Sequence, residues 1–183
     1  MVPGSKKAEG ARGRTWAIRG ALLAGVLAAS LWGATYFGAE ARVRRATARV
    51  VRLAEKEGEE SPVSLGLAVN RFGKCLAADA VLELEGYGTL ATGRRGIAQL
   101  FAQIRNSLAQ IEFSDPDLEV VKIRDGEGEV RVTVRYRLAP AAGDAAEGEG
   151  SADLVWTRGE EGWQISRAAL RTEPGARLPG GWQ

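Results

Sequence analysis

The chain of 183 residues is long enough for one globular domain with a core of its own. It contains one cysteine and no histidine, which excludes a disulfide framework, imidazole metal ligands and a serine–histidine–aspartate triad. Residues 1–60 carry a net charge of +5, whereas residues 61–173 carry −4. We therefore expect no nucleic-acid partner for the C-terminal part, because its net charge repels phosphate.

Residues 20–39, with the sequence GALLAGVLAASLWGATYFGA, contain no charged side chain. As a helix, a segment of this length spans about 30 Å, the thickness of the hydrocarbon core of a bilayer. The residues before it are basic, as at the start of an export signal, and Ala39-Glu40-Ala41 resembles a signal-peptidase site. We favour an uncleaved signal-anchor over a cleaved signal, because the uncharged run exceeds the usual length of an export-signal core.

This topology predicts a single-pass protein of the inner (cell) membrane. Residues 1–19 then form a basic cytoplasmic tail, and the C-terminal domain lies outside the cytoplasm. Small residues recur at every fourth position of the predicted membrane helix: Ala21, Gly25, Ala29 and Gly33. Such a stripe lets two helices approach closely, which predicts a homodimer. A segment so rich in glycine and alanine also produces this stripe by chance, and that interpretation stays open.

Residues 40–60 are predicted as a charged juxtamembrane helix whose apolar residues share one face: Val43, Ala46, Val50 and Leu53. Ser61-Pro62 then begins a second helix, as N-cap and first helical residue, and Ala77-Ala78-Asp79 is predicted to end it. Apolar and acidic residues alternate over Ala80–Glu85, which indicates a strand. A turn at Gly86-Tyr87-Gly88 leads into a short return strand, Thr89–Ala91.

Thr92-Gly93 opens the most clearly amphipathic helix of the chain, with these apolar residues on one face: Ile97, Leu100, Phe101, Ile104 and Leu108. The period then changes from 3.6 to 2, which predicts a long strand over Ile111–Arg124 with a bulge at Asp115-Pro116. A turn over Asp125–Gly128 leads into another alternating strand that ends near Leu138.

Pro140–Gly150 is predicted to be an acidic Ala/Gly loop, followed by a second hairpin of Ala152–Arg158 and Trp163–Arg171. Residues 61–173 thus form the predicted domain, and residues 174–183 a flexible tail. Helices come first and strands last, which predicts an α+β fold with an antiparallel sheet and its helices on one face.

The run LAADAVLELEGYGTLATGRRGIAQLFAQI, followed by two hairpins ending in GWQISRAALRT, resembles the nuclear transport factor two-like superfamily, which includes SnoaL-like domains. The resemblance implies a curved sheet wrapped around about three helices, a cystatin-like cone with an apolar pocket. The superfamily includes isomerases, dehydratases, transport adaptors and secretion-system parts, so the fold alone leaves the function open.

If the cone holds a pocket, strand alternation predicts that it is lined by these residues: Leu84, Phe101, Tyr136 and Trp156. Tyr87 is predicted to lie near its mouth. Plain core packing is the competing interpretation. Members resembling steroid isomerases use a pocket carboxylate with a tyrosine donor, for which Asp79, Glu83 and Tyr136 are the candidates here. The acidic side of the strand, which carries Glu83 and Glu85, is equally typical of a polar surface exposed to solvent, so we assign no catalytic residue.

Arg131, Arg135 and Arg137 share the basic face of their strand, and we expect them to pair with carboxylates such as Glu119 and Asp153 on neighbouring strands. No metal-ligand spacing or phosphate-binding glycine loop is present, so neither a metal nor another cofactor is expected.

The sequence favours a membrane-anchored, non-catalytic binding or assembly module of the bacterial envelope. A short tail, one membrane helix and an exported domain resemble the layout of an inner-membrane scaffold protein of type IV secretion systems. The expected partners are the membrane, a second copy, and a small apolar ligand or another envelope protein. The alternative is a SnoaL-like isomerase or dehydratase that uses a pocket carboxylate.

Overall fold

The computed structural model describes residues 38–172. The predicted membrane segment up to residue 37, its stripe of Ala21, Gly25, Ala29 and Gly33, and the two terminal tails lie outside the described residues. None of the helices within residues 38–172 is both long and apolar enough to cross a bilayer.

The described chain forms three helices and six strands. In chain order these are α1 (Ala39–Ala54), α2 (Pro62–Gly73), β1 (Leu76–Leu84), β2 (Gly88–Thr92), α3 (Gly93–Ser107), β3 (Leu108–Arg124), β4 (Glu127–Pro140), β5 (Ala146–Gly159) and β6 (Gly162–Thr172).

The six strands form one sheet in the order β2-β1-β6-β5-β4-β3. Four of the five neighbouring pairs are antiparallel, as predicted, but β1 and β6 run parallel. The prediction of a purely antiparallel sheet is therefore wrong at this one pair. Hairpin turns impose antiparallel pairing on strands adjacent in sequence. No turn constrains β1 against β6, because five other elements separate them in the chain.

Helix α1 contributes to the core of the domain. Val43 and Thr47 are fully buried, and Val43 lies against Gly128 of β4, where an added Cβ would stand 3.3 Å from a Val43 methyl group. Glycine at this position lets the helix approach the sheet closely. The segment predicted as a juxtamembrane helix is thus packed into the domain, and it ends at Ala54.

One face of the sheet, which we call the inner face, packs against the helices. Its buried residues alternate along β4, β5 and β6: Val130, Val132, Leu154, Trp156 and Ile165. Ile97 of α3 and Val43 of α1 join the same core. The opposite, outer face carries the charged residues of these strands.

The boundary between α2 and β1 differs from the prediction. Helix α2 ends at Gly73, and Leu76 opens β1 instead of closing the helix. The Cys75 carbonyl accepts a hydrogen bond from the amide of Ile165 on β6, at 2.8 Å. Pairing with β6 extends the strand backwards, which the alanine-rich local sequence did not indicate. Cys75 consequently lies between the helix and the strand.

Two predictions about the strands, an irregularity in β3 and a loop before Gly150, can be compared with the structure. The predicted irregularity in β3 is confirmed, since the register with β4 shifts between Ser114 and Asp117, and Asp115 has φ of 51°. The predicted loop before Gly150, by contrast, is partly wrong, because β5 begins at Ala146. Tyr136 of β4 lies over Gly148 and Gly150 of β5, so these glycines make room for its ring.

This packing predicts opposite effects for two glycine substitutions. An added Cβ at Gly148 would stand 2.7 Å from the hydroxyl oxygen of Tyr136, so Gly148→Ala should destabilise the fold by about 1–3 kcal/mol. Gly66→Ala in α2 meets nothing within 4 Å and should stabilise by about 0.5–1 kcal/mol. Urea unfolding of both variants measures this. A loss at Gly148 that persists unchanged in the background Tyr136→Ala would contradict the proposed clash.

Candidate functional site

The space between the inner face and the helices is filled around Trp156. This side chain is 1% exposed and lies directly opposite Gly128, against which Val43 packs. Its indole Nε1–H has no hydrogen-bond acceptor within residues 38–172. An unpaired buried donor is unfavourable, so the indole occupies this place for its apolar volume.

The five predicted pocket residues lie on different elements of the fold. Trp156 lies in the core, Tyr136 covers the two glycines of β5, and Leu84 lies at the end of β1. Tyr87 is 69% exposed in the turn after β1. Phe101 stacks on Phe72 of α2, with ring centroids 4.1 Å apart, and so belongs to the contact between α2 and α3.

The candidate catalytic carboxylates face away from the inner side. Asp79 is exposed, and Glu83 accepts hydrogen bonds from Arg167 at 3.0 and 2.7 Å on the outer face. Glu85 forms an ion pair with Arg171 at 3.0 Å. No carboxylate among these three is placed to exchange a proton with a molecule held between sheet and helices.

The outer face carries a network of ion pairs, and the expected cross-strand pairing of its arginines is observed. Asp153 bridges Arg131 at 2.9 Å and Arg171 at 2.6 Å. Burial alone would raise the pKa of Asp153, but the two guanidinium groups outweigh it and hold the pKa below its ordinary value. Arg135 pairs with Asp115 and Arg137 with Glu147 in the same way.

A shallow cleft of about 440 Å³ lies where β1, its turn to β2, and β6 meet. Its lining consists of Glu83, Leu84, Glu85, Gly86, Gly88, Ala169, Leu170 and Arg171. The one guanidinium in this lining is already paired with Glu85 and Asp153. The cleft therefore offers no open cationic group, and its two carboxylates, Glu83 and Glu85, are each paired with an arginine.

Two buried cations join α1 to α3, and sequence reasoning missed both. Arg105 of α3 is 4% exposed and donates hydrogen bonds to the carbonyls of Leu53, Ala54 and Glu55, at 2.8 to 3.1 Å. Lys56, 8% exposed, donates to the carbonyls of Arg105 and Leu108. Each cation thus satisfies the terminal carbonyls of the other helix, where the helix dipole favours positive charge.

Glu60 neutralises the buried guanidinium. Arg105 Nε donates to Glu60 Oε2 at 3.0 Å, and a second nitrogen donates to the other oxygen. A signal for this pair was present in the sequence. Arg105 occupies the apolar stripe of α3, eight residues after Ile97 and four after Phe101, where a charged side chain needs a partner.

The ion pair predicts a dependence of stability on pH. The hydrogen bond from Arg105 holds the pKa of Glu60 below its ordinary value of 4.5. Because the folded-state pKa is the lower one, the pair stabilises above pH 4.5, and this stability is lost as the pH falls through the lowered value. Urea unfolding from pH 7 to pH 3 should show a smaller acid loss for Glu60→Gln than for the wild type. Equal slopes would contradict this.

Within residues 38–172, no group of three or more histidine, cysteine, aspartate or glutamate side chains is placed to hold a metal ion. Burial raises the pKa of the Cys75 thiol, although Arg49 opposes the shift. The thiol is therefore in its unreactive protonated form at neutral pH.

No protein-family model and no curated protein matches the sequence. Solved structures are similar in fold. An NTF2-like protein with a cystatin-like fold from Novosphingobium aromaticivorans superposes with a TM-score of 0.58 at 17% identity, over 81% of this chain and 89% of that chain. NTF2 here denotes nuclear transport factor two.

Two further similar structures carry proposed activities. A proposed dehydratase of the NTF2-like family from Streptomyces avermitilis has a TM-score of 0.57 at 15% identity, over 72% of this chain and 93% of that chain. A proposed scytalone dehydratase from Novosphingobium aromaticivorans has a TM-score of 0.55 at 14% identity, over 78% and 93%. Residues 38–172 therefore have the α+β, cystatin-like fold of NTF2-like proteins, with a six-stranded mixed sheet and three helices.

Proposed function

We propose that the chain is a membrane-anchored, non-catalytic binding or assembly module of the bacterial envelope. The filled inner side of the sheet carries this proposal. Trp156 and Val43 occupy the place of a pocket, and Asp79, Glu83 and Glu85 all lie away from it. Proton transfer to a molecule bound between sheet and helices needs a base within hydrogen-bond reach, and these three carboxylates provide none on that side.

The membrane part of the proposal rests on the uncharged run of residues 20–39 and the basic residues before it. A membrane anchor suits a scaffold better than a catalyst of small molecules, because assembly at a membrane requires tethering and turnover does not. A second copy of the chain and another envelope protein are the partners we propose.

The alternative function is a dehydratase or isomerase of the SnoaL-like type. It is favoured by the proposed activities of two structures with the same fold. Fold likeness at this level of identity supports an activity weakly, because the same fold carries many functions. The alternative also requires a pocket carboxylate, which the described residues do not place on the inner side.

A ligand screen by thermal unfolding tests the non-catalytic part. A ligand present at about 100 times its Kd stabilises by about 2.7 kcal/mol, which raises the Tm by roughly 10 °C. We expect no such rise with steroids, aromatic polyketides or fatty acids. A saturable rise that disappears in Asp79→Asn or Glu83→Gln would overturn the proposal in favour of the enzyme.

Reporter fusions test the topology. Alkaline phosphatase fused to the C-terminus should be active, because the enzyme folds only after export. A green fluorescent protein fusion at the same position should be dark. Bright fluorescence with no phosphatase activity would place the domain in the cytoplasm and contradict the proposed topology.

A further inference from the structure

Helix α1 presents a row of arginines to solvent, which we call the arginine stripe: Arg42, Arg45, Arg49 and Arg52. At about 100° per residue, these four fall within about 80° of the helix circumference. Val43 and Thr47 on the opposite side are fully buried in the core. Core packing therefore fixes the rotation of the helix and leaves the four stripe arginines exposed to solvent, with Arg49 also close enough to Cys75 to act on its thiol electrostatically.

The charge of the stripe is not balanced by its own helix. Helix α1 contains five arginines, of which Arg44 lies outside the stripe, and a single acidic residue, Glu40. Within residues 38–172, Arg42, Arg49 and Arg52 form no salt bridge, although Glu55, just after the helix, interacts electrostatically with Arg52. On the outer face of the sheet, by contrast, arginines lie beside carboxylates of neighbouring strands.

This arrangement opposes helix stability in isolation, because like charges three and four residues apart repel each other. An external anion would relieve the repulsion along the whole stripe. From Arg42 to Arg52 the helix rises about 15 Å, longer than the Debye length of about 8 Å at physiological salt. A single phosphate group at one end would therefore leave the other end unneutralised, so the matching partner is an extended anionic surface.

Two extended anionic surfaces fit the stripe by charge, a bilayer with anionic lipids and a nucleic acid. The uncharged run of residues 20–39 ends where α1 begins, which brings the stripe near a membrane if that run is an anchor. Residues 61–173 carry a net charge of −4, which would repel a nucleic acid that wrapped beyond α1. A planar membrane would contact only the stripe and would not extend over the acidic residues 61–173.

We infer that α1 lies along the surface of the membrane, with the arginine stripe against the headgroups of anionic phospholipids. This inference rests on the proposed membrane anchor. Each basic residue that lies near an anionic leaflet increases the affinity of the protein for that membrane surface about fivefold. The stripe would set the orientation of the domain on the bilayer.

Arginine modification by phenylglyoxal, read by mass spectrometry, tests this on the full chain in vesicles. One set of vesicles is phosphatidylcholine alone, and the other contains phosphatidylglycerol in addition. We expect the stripe arginines to react at least about fivefold more slowly in the anionic vesicles, with the difference lost in high salt. Arg124 and Arg135 serve as internal controls, since they are exposed on the sheet and should react equally in both.

A pair of variants separates the stripe from net charge. Arg42→Gln/Arg45→Gln/Arg52→Gln removes three charges around Arg49, and Arg124→Gln/Arg135→Gln/Arg137→Gln removes three from the sheet. Slow modification of Arg49 in anionic vesicles should be lost in the first variant and kept in the second. Equal loss in both variants, or equal modification of the wild type in both vesicles, would overturn the inference.

Two further measurements distinguish a failure of the proposed membrane anchor from a failure of the proposed lipid contact. Flotation of the full chain with neutral vesicles reports the anchor, so absence from the floating fraction there refutes the proposed function without reference to the stripe. Duplex DNA is added to the chain in neutral vesicles as the competing polyanion. Protection of the stripe by DNA, with none by anionic lipid, would refute the membrane partner in favour of a nucleic acid.

Discussion

Arg105→Met should destabilise the fold by about 3–5 kcal/mol, because it removes a buried cation that serves three carbonyls at the end of α1 and the partly buried Glu60. Glu60 would lose both hydrogen bonds from the guanidinium. The carbonyls of Leu53, Ala54 and Glu55 would lose their donor at the end of α1. Methionine also removes the guanidinium that lies 5.3 Å from the centroid of the Phe101 ring, so the loss reports this cation–π contact together with the polar network.

Arg167→Met is the matched control. Arg167 also pairs with a glutamate through two hydrogen bonds, but its side chain is 59% exposed, against 4% for Arg105. Solvent screens an exposed pair, so this change should cost at most about 1 kcal/mol. Urea unfolding compares the two. A loss at Arg105 no larger than at Arg167 would contradict the structural role of the buried network.

A double-mutant cycle with Glu60→Gln refines the test. The two substitutions share one ion pair, so their effects should fall short of additivity by about 0.5–3 kcal/mol. Additive losses would mean that Arg105 acts through the carbonyls of α1 alone. In that case the link between Glu60 and α3 contributes nothing to stability.

Trp156→Ala should destabilise by about 3–5 kcal/mol, because it empties the centre of the core beside Val43 and Gly128. Trp156→Phe should cost less, for two reasons. Phenylalanine retains most of the apolar volume, and it removes the indole N–H that has no acceptor within residues 38–172. Thermal and urea unfolding of both variants measure the difference.

The same pair of variants probes the filled pocket. If Trp156 occupies the place of a ligand, the alanine variant should gain stability from added indole or benzene, whereas the wild type should not. Equal stabilisation of the wild type would show that an apolar site exists beside Trp156. A loss in Trp156→Ala below about 1 kcal/mol would mean that the residue is not central to the core.

Sequence periodicity predicted the type and order of nearly every element between Ser61 and Arg171. The change from helical to alternating spacing after α3 identified β3, and Asp115-Pro116 located its irregularity. The turns at Gly86–Gly88 and Asp125–Gly128 were equally clear. These features depend on neighbours within a few residues, so a local pattern contains the information.

Errors arose where a distant partner decides the local structure. The Glu-Gly-Glu-Gly run of residues 147–150 has loop composition, yet it forms part of β5. Its glycines lie under Tyr136, and its glutamates lie opposite Arg135 and Arg137 of β4. Strand β1 likewise begins early because it pairs with β6. In each case the pairing lies at least ten residues away, beyond the window that local composition samples, so composition alone misassigned both segments.

The sequence by itself determined the helical and extended segments, the absence of imidazole chemistry and the uneven charge, because these follow from local spacing and residue content. Only the tertiary structure decided that α1 enters the core and that Glu83 pairs with Arg167 on the outer face. It also decided that Arg105 donates hydrogen bonds to carbonyls at the end of α1, and Lys56 to carbonyls at the end of α3. Each of these joins residues about 50 or more positions apart, or depends on which face the packed sheet turns inward. Such pairings are selected by burial and desolvation in the assembled core, which no short window of sequence contains.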